Sequence, residues 1–338
     1  MKKFIAALLA VTMLFSFVGC SNNNGGGEDG PTGEVMIYSS MQQVVLEALE
    51  ARFEELYPGV DMSFVQAGSG KISTKLTTEL QAGTVECDIV WLADASEFVE
   101  YKNAGNLVAY ESKYASTVDP MFRDPDNMYI GARAVLIGFA YAPDQVKETL
   151  SNWKDLLKPE YKDKIVMTDA GASGSMKTWL YVLVNHPDYG WDFIQALYEN
   201  GLKLESGTTA THNKVADGTY AIGVGVEFVA KNLIADGANL AWAEIVDDAI
   251  AYYSPIAIPK GCPNLENAKL LYDFIMNPEE GQRILVENNV TPVQPATKVP
   301  DTMHPATWIV EHAIAFDVDD MAAKSTEMLA KYDSIFKK

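Results

Sequence analysis

The alternation of short apolar runs with amphipathic helical stripes between residues 35 and 92 restricts this chain more than any other feature. Val35-Met36-Ile37-Tyr38 predicts a short buried strand, and Ser40 with Gln43 three residues later predicts a capping box for the helix behind it. Leu46, Leu49, Phe53 and Leu56 mark one face of that helix, and Pro58-Gly59 ends it. A second strand at 62–65, a second stripe at Ile72, Leu76 and Leu80 stopped by Gly83, and a third strand at 88–92 complete the series. Strand, helix, strand, helix, strand reads as a parallel sheet with helices on its faces.

The plan resumes in the second half. Val135, Ile137, Phe139 and Tyr141 form a period-two series ended by Pro143, which predicts a strand crossing between lobes. A helix at 151–157, a strand at 165–167 and a helix opening after Ala172-Ser173-Gly174-Ser175 follow. Strands at 220–226 and 239–242 flank a helix at 227–236, a return strand occupies 252–258, and 265–288 and 307–336 are mostly helical. About 305 residues follow Gly33, more than one core holds comfortably, so two lobes are expected. One is assigned 34–134 and 255–338, with the last helices free to pack on either, and the other 135–254.

The N-terminus belongs to neither lobe. Lys2 and Lys3 precede a largely apolar run of about 15 residues, short of the roughly 20 that cross a bilayer as a helix, so 1–20 reads as a secretory signal. Residues 21–33, rich in Gly and Asn, read as a flexible linker. Phe17-Val18-Gly19-Cys20 resembles the bacterial lipobox, with Phe17 where leucine is usual; the resemblance implies that Cys20 is lipidated and becomes the mature N-terminus. Ser21 after it carries no inner-membrane retention signal. The expected location is the outer face of the cytoplasmic membrane, or the periplasm of a cell with two membranes.

Charge narrows the partners. The formal net charge is -20, and loss of Lys2 and Lys3 with the signal makes it more negative still, which excludes nucleic acid and anionic lipid surfaces as preferred partners. Any small anion must be held locally, against the overall field. With Cys20 lipidated, only Cys87 and Cys262 remain, and a disulfide between them stays open. The histidines show no zinc-like spacing with these cysteines, and neither metal nor cofactor is expected.

Four small, polar turns fall between a strand and a helix, where ligands of open α/β sheets bind: Ser39-Ser40, Gly68-Ser69-Gly70, Ser173-Gly174-Ser175 and Thr208-Thr209-Ala210-Thr211. Such turns aim backbone N–H groups and hydroxyls at a helix end carrying partial positive charge, which suits an anion without any lysine or arginine. Singly each is a helix cap; together they describe a cleft. Enzyme motifs fail. Gly70-Lys71 lacks the Ser or Thr of a P-loop, having Ile72, and the stretch through Ala172-Ser173-Gly174 has Ser175 where a nucleophile elbow ends in glycine. His212 stands near a candidate turn without triad partners, so a secreted hydrolase ranks last.

Val35-Met36-Ile37-Tyr38-Ser39-Ser40, Cys87-Asp88-Ile89-Val90-Trp91-Leu92-Ala93-Asp94, Trp153-Lys154-Asp155-Leu156-Leu157, Lys162-Asp163-Lys164-Ile165, Tyr220-Ala221-Ile222-Gly223-Val224-Gly225 and Asn277-Pro278-Glu279-Glu280-Gly281-Gln282, in this order, resemble the extracellular solute-binding proteins of ABC importers. The closest branch binds ferric iron, phosphonates and sugar phosphates. The resemblance implies a non-enzymatic, two-lobed α/β fold of the type II periplasmic-binding-protein kind. Its ligand cleft lies between the lobes and closes about crossover strands, and its partners are a small anionic ligand and a membrane permease. Iron binders carry adjacent tyrosines after the strand at 220–226, where this chain has Glu227-Phe228; Tyr252-Tyr253 lies in an apolar run. The likeness therefore implies a phosphoryl- or phosphonate-bearing ligand, with Ser39, Ser40, Ser69, Ser173, Ser175 and Thr211 on the phosphoryl group and His212 and Glu227 on the organic part. A ferric iron cargo, and a ligand-sensing lipoprotein that signals through a membrane partner, are the alternatives.

Overall fold

The computed structural model describes residues 30–337, so the signal at 1–20, Cys20 and the linker as far as residue 29 lie outside the described residues. Strand β1 (Gly33–Ser39) starts one residue before the expected fold boundary and is followed by helix α1 (Gln43–Leu56), strand β2 (Val60–Gln66), helix α2 (Ser69–Ala82) and strand β3 (Ile89–Trp91). Both β2 and β3 pair in parallel with β1. The α1 stripe buries Val45, Leu46, Leu49 and Phe53. α2 ends where Gly83 turns left-handed at φ 70° and its N–H returns to the carbonyls of Glu79 and Leu80. The capping box expected at Ser40 and Gln43 does not form: Gln42 precedes the helix without a side-chain cap. The Ser40 hydroxyl instead accepts from Ala93 N–H at 3.1 Å, because Ser40 directly follows β1 and its backbone N–H is held by Trp91 O at the end of β3.

Helix α3 (Ala95–Asn103), capped by Asp94, leads to the short strand β4 (Leu107–Val108) and then to strand β5 (Ile130–Tyr141), the longest in the fold. The helix expected at 151–157 is a single 3-10 stretch, Trp153–Leu157, closed by an Asn152–Asp155 capping box and cut short before Pro159. Strand β6 (Ile165–Thr168), helices α4 (Gly174–Asn185) and α5 (Gly190–Glu199), strand β7 (Lys203–Glu205), helix α6 (Thr208–Ala216), strand β8 (Ile222–Val226), helix α7 (Glu227–Ala235) and strand β9 (Ala241–Ala243) repeat the α/β plan. Strand β10 (Ile250–Pro259) returns across the molecule to helices α8 (Leu265–Met276) and α9 (Gly281–Glu287), separated by Asn277-Pro278, where proline cannot continue a helix. Strand β11 (Thr291–Pro292) and helices α10 (Ala306–His312) and α11 (Val318–Phe336) complete the chain.

The strands run in the order β2-β1-β3-β10-β5-β8-β6-β7. Parallel pairing holds at both ends, in β2-β1-β3 and in β8-β6-β7, whereas β10 lies antiparallel to β3 and β5, and β5 antiparallel to β8. Two parallel α/β halves are thus joined by two long antiparallel crossing strands, and the fold is two-lobed. Gln282 locks α9 to the crossing: its amide donates to the carbonyls of Ala132 and Ile275 at 2.8 and 3.0 Å and accepts from Val293 N–H at 2.8 Å. Helix α11 lies against α3 of the first half and against α4 and α5 of the second. Lys337 pairs with Asp169 at 2.8 Å, and Tyr181 on α4 donates to Asp320 on α11. Cys87 is buried, Cys262 half-buried, and both are free thiols.

Candidate functional site

Five helices begin on the wall of one cavity of about 420 Å³: α1 at Gln42 and Gln43, α2 at Gly68 and Ser69, α4 at Ser173 and Ser175, α6 at Gly207 and Thr208, α7 at Val226 and Phe228. The arrangement follows from the fold, since each of these helices leaves the carboxyl end of a strand and the sheet gathers those ends together. The first N–H groups of a helix have no partner within it and carry its partial positive charge, so the wall is a converging set of hydrogen-bond donors. The volume sits toward the low end of the roughly 300–1,000 Å³ usual for small-molecule sites.

The one ionised side chain in the lining is Arg133, on β5. It is 2% exposed, its guanidinium stacks over Phe228 at 4.9 Å and faces Trp91 at 5.8 Å, and its Nη1 donates to the Met41 sulfur at 3.0 Å. Its Nε has no hydrogen-bond partner, and no carboxylate pairs with it among the described residues. Burial pushes the guanidinium down to about 10, with the Tyr252 phenol acting in the opposite sense. It therefore stays charged at neutral pH, a buried cation with no counter-charge of its own, which is costly unless a ligand supplies one.

The cavity brings together Ser40, Ser69, Ser173 and Ser175 of the residues expected from sequence, with Thr208 and Thr209 of the fourth turn. Ser175 shares a short hydrogen bond with Tyr252, whose phenol burial raises to about 12. The other expected residues lie outside the lining. Ser39 is consumed internally, donating to Trp91 O and accepting from Met41 N–H, both at 3.0 Å. Thr211 stands behind the lining residue Thr168, hydroxyl to hydroxyl at 2.8 Å. Glu227 faces away along α7 to Lys231 at 2.6 Å.

His212 is fully buried beneath β8, where a Cβ on Gly225 would stand 2.4 Å from its ring; the bare glycine is what lets α6 pack this closely. Neither ring nitrogen makes a hydrogen bond of good geometry, and burial lowers the imidazole to about 4, with the Val226 backbone acting in the opposite sense. The unfolded chain therefore takes up a proton near pH 6.5 that the folded chain refuses until about pH 4. Stability is full above pH 6.5 and falls as the pH drops toward 4, by about 3 kcal/mol for a shift of this size. Urea midpoints of the wild type should fall across this range, and His212→Leu should flatten that part of the fall.

Arg133, Gln42, Gln43, Gln66, Ser206 and Phe228 join the lining without having been expected there as ligand-binding residues. The signal for Arg133 was present: it is the lone charge in an apolar strand, in step with Val135, Ile137 and Phe139.

The profile of a family described as bacterial extracellular solute-binding protein matches residues 88–310. The chain belongs to this family. A putative 2-aminoethylphosphonate-binding periplasmic protein of Salmonella paratyphi A is 23% identical over 258 residues, 69% of this chain and 72% of the relative. Among solved structures, the periplasmic binding protein AfuA of Actinobacillus pleuropneumoniae, with exogenous fructose-6-phosphate bound, superposes with a TM-score of 0.81 at 23% identity over 91% of this chain and 99% of its own. Iron-bound HitA of Pseudomonas aeruginosa gives 0.77 at 15% identity over 89% and 99%. These structural likenesses speak to the fold: a two-lobed type II periplasmic binding protein. This solute-binding protein is the substrate-binding component of an ABC importer and not an enzyme. None of its helices among the described residues is long and apolar enough to cross a membrane.

Proposed function

We propose that this solute-binding protein captures a small organic anion bearing a phosphoryl or phosphonate group between its lobes, 34–134 with 255–338 and 135–254, and hands it to a membrane permease. The observation that carries the reading is Arg133: a buried, unpaired guanidinium at the centre of converging helix N-termini. A phosphate monoester carries close to two negative charges at neutral pH and three acceptor oxygens. Arg133 supplies the counter-charge and directional donors, while Ser40, Ser69, Ser173 and Ser175 and the helix N–H groups take the remaining oxygens. Ser39 and Thr211 hold these groups in place from behind, and the neutral His212 packs α6 under the floor.

Ferric iron is the second reading, favoured by the resemblance to iron-bound HitA in fold. A hard trivalent cation wants phenolate and carboxylate oxygen, and the lining offers a cation instead. Calorimetry of the mature domain with sugar phosphates, phosphonates and Fe(III) separates the two: micromolar heat with phosphoryl ligands is expected, and iron binding without any phosphoryl response overturns the proposal.

We infer that Cys20 carries a lipid that tethers the chain outside the cytoplasmic membrane. Cys20→Ser should move the protein from the membrane fraction to the soluble one and abolish radiolabelled palmitate incorporation; unchanged fractionation overturns the anchor.

A further inference from the structure

We propose that the part of the ligand beyond the phosphoryl group is uncharged and hydroxyl-bearing, and that the cleft discriminates against an ammonium group there; the inference rests on the phosphoryl reading above. The lining contains one cation and, among the described residues, no carboxylate. Of the four acids that adjoin lining residues in sequence, Asp169, beside Thr168, pairs with Lys337 at 2.8 Å and Glu205, beside Ser206, stays outside the lining, while the other two are held in ion pairs. Asp94, next to the lining residue Ala93, is fully buried in an ion pair with Lys177, and Glu227, between Val226 and Phe228, is held by Lys231 at 2.6 Å. Glu97, beside that first pair, is pushed above the usual carboxylate range by burial and by Asp94, and it too lies outside the lining. A ligand ammonium would be stripped of water beside Arg133 with no carboxylate in the lining to meet it.

The neutral polar groups of the lining point to a hydroxyl instead. Gln42 Oε1 accepts from Asn232 Nδ2 at 3.1 Å, and Asn232 Oδ1 accepts from Asn289 Nδ2 at 2.7 Å, so the amide chain leaves Gln42 Nε2 as a donor. The neighbouring Gln43 is turned the other way: its Nε2 donates to Glu47 at 2.7 Å, which leaves Oε1 as an acceptor. A hydroxyl accepts from one and donates to the other; an ammonium only donates. The cavity of about 420 Å³ has room for several such hydroxyls beyond the phosphoryl group.

The test is a pair of ligands of equal size, 2-hydroxyethylphosphonate and 2-aminoethylphosphonate, titrated by calorimetry into the mature protein alongside a hexose phosphate. The hydroxyl ligand should bind at least tenfold more tightly than the amine. Gln42→Glu, which adds an acid at a helix N-terminus where acids are tolerated, should narrow or reverse that preference. Equal or tighter binding of the amine by the wild type overturns the inference and leaves the phosphoryl reading standing. Failure of all three ligands to bind overturns the phosphoryl reading itself.

Discussion

Arg133→Met is expected to cost the protein its phosphoryl ligand while leaving the empty protein as stable as before or more so. Removing one member of a buried charge pair costs about 2–5 kcal/mol, a loss of roughly 30- to 5,000-fold in affinity. Without ligand the balance is opposite. The guanidinium is buried without a carboxylate, its Nε unsatisfied and its Nη1 spent on a weak sulfur acceptor, so an apolar side chain of similar length removes an uncompensated desolvation penalty. Methionine also packs well among Met41, Trp91 and Phe228, which already surround the site. Calorimetry and urea unfolding on the same preparation give both numbers. An Arg133→Met protein that keeps its affinity would return Arg133 to a purely structural role. Arg133→Lys should restore little, because an ammonium cannot lie flat on Phe228 or offer a fork of donors.

Gly70→Ala should weaken binding through closure alone. A Cβ on Gly70 would stand 2.7 Å from the carbonyl oxygen of Gly171, and one on Gly68 2.9 Å from that of Ala172. These contacts join the start of α2 in the first half to the loop before α4 in the second, so the obstruction is backbone that no rotamer change relieves. Gly70 sits in the first turn of α2, where alanine is at home, so the substitution leaves α2 intact and acts on how near the halves approach. Overpacking of this kind costs about 1–3 kcal/mol, a five- to 150-fold rise in Kd at roughly 1.4 kcal/mol per decade. The thermal midpoint without ligand should be unchanged, and small-angle scattering should show less compaction on ligand addition. Wild-type affinity with wild-type compaction would show that the halves close without this contact.

The sheet and its helices were legible because each uses a period that the side chains announce, two for β5 and three to four for α1 and α2. The polar turns were legible as a set, since each lies where a strand hands over to a helix. Which member of each turn reaches the cavity was not legible. Ser39 and Ser40 are adjacent, and the strand pleat sends one hydroxyl to Trp91 O and leaves the other on the cleft wall. On α6, Thr208 and Thr209 of the first turn line the cavity, whereas Thr211 and His212 rotate onto the buried face against β6 and β8. Reading the turns as an anion site free of arginine missed Arg133 because it lies mid-strand rather than in a turn. Its place in the cavity lining depends on β5 crossing between the halves, a long-range fact that local spacing does not encode.

Helix α11 is the last element of the chain, yet it rests on α3 from one half and on α4 and α5 from the other, and Lys337 at its end is tied to Asp169, two residues from Gly171. A ligand that draws the halves together is expected to change the surroundings of that terminus, although no residue of α11 lines the cavity. A solvent-sensitive dye on the tail of α11 would turn closure into light, making the protein an optical reporter for its own cargo with no label in the cavity lining.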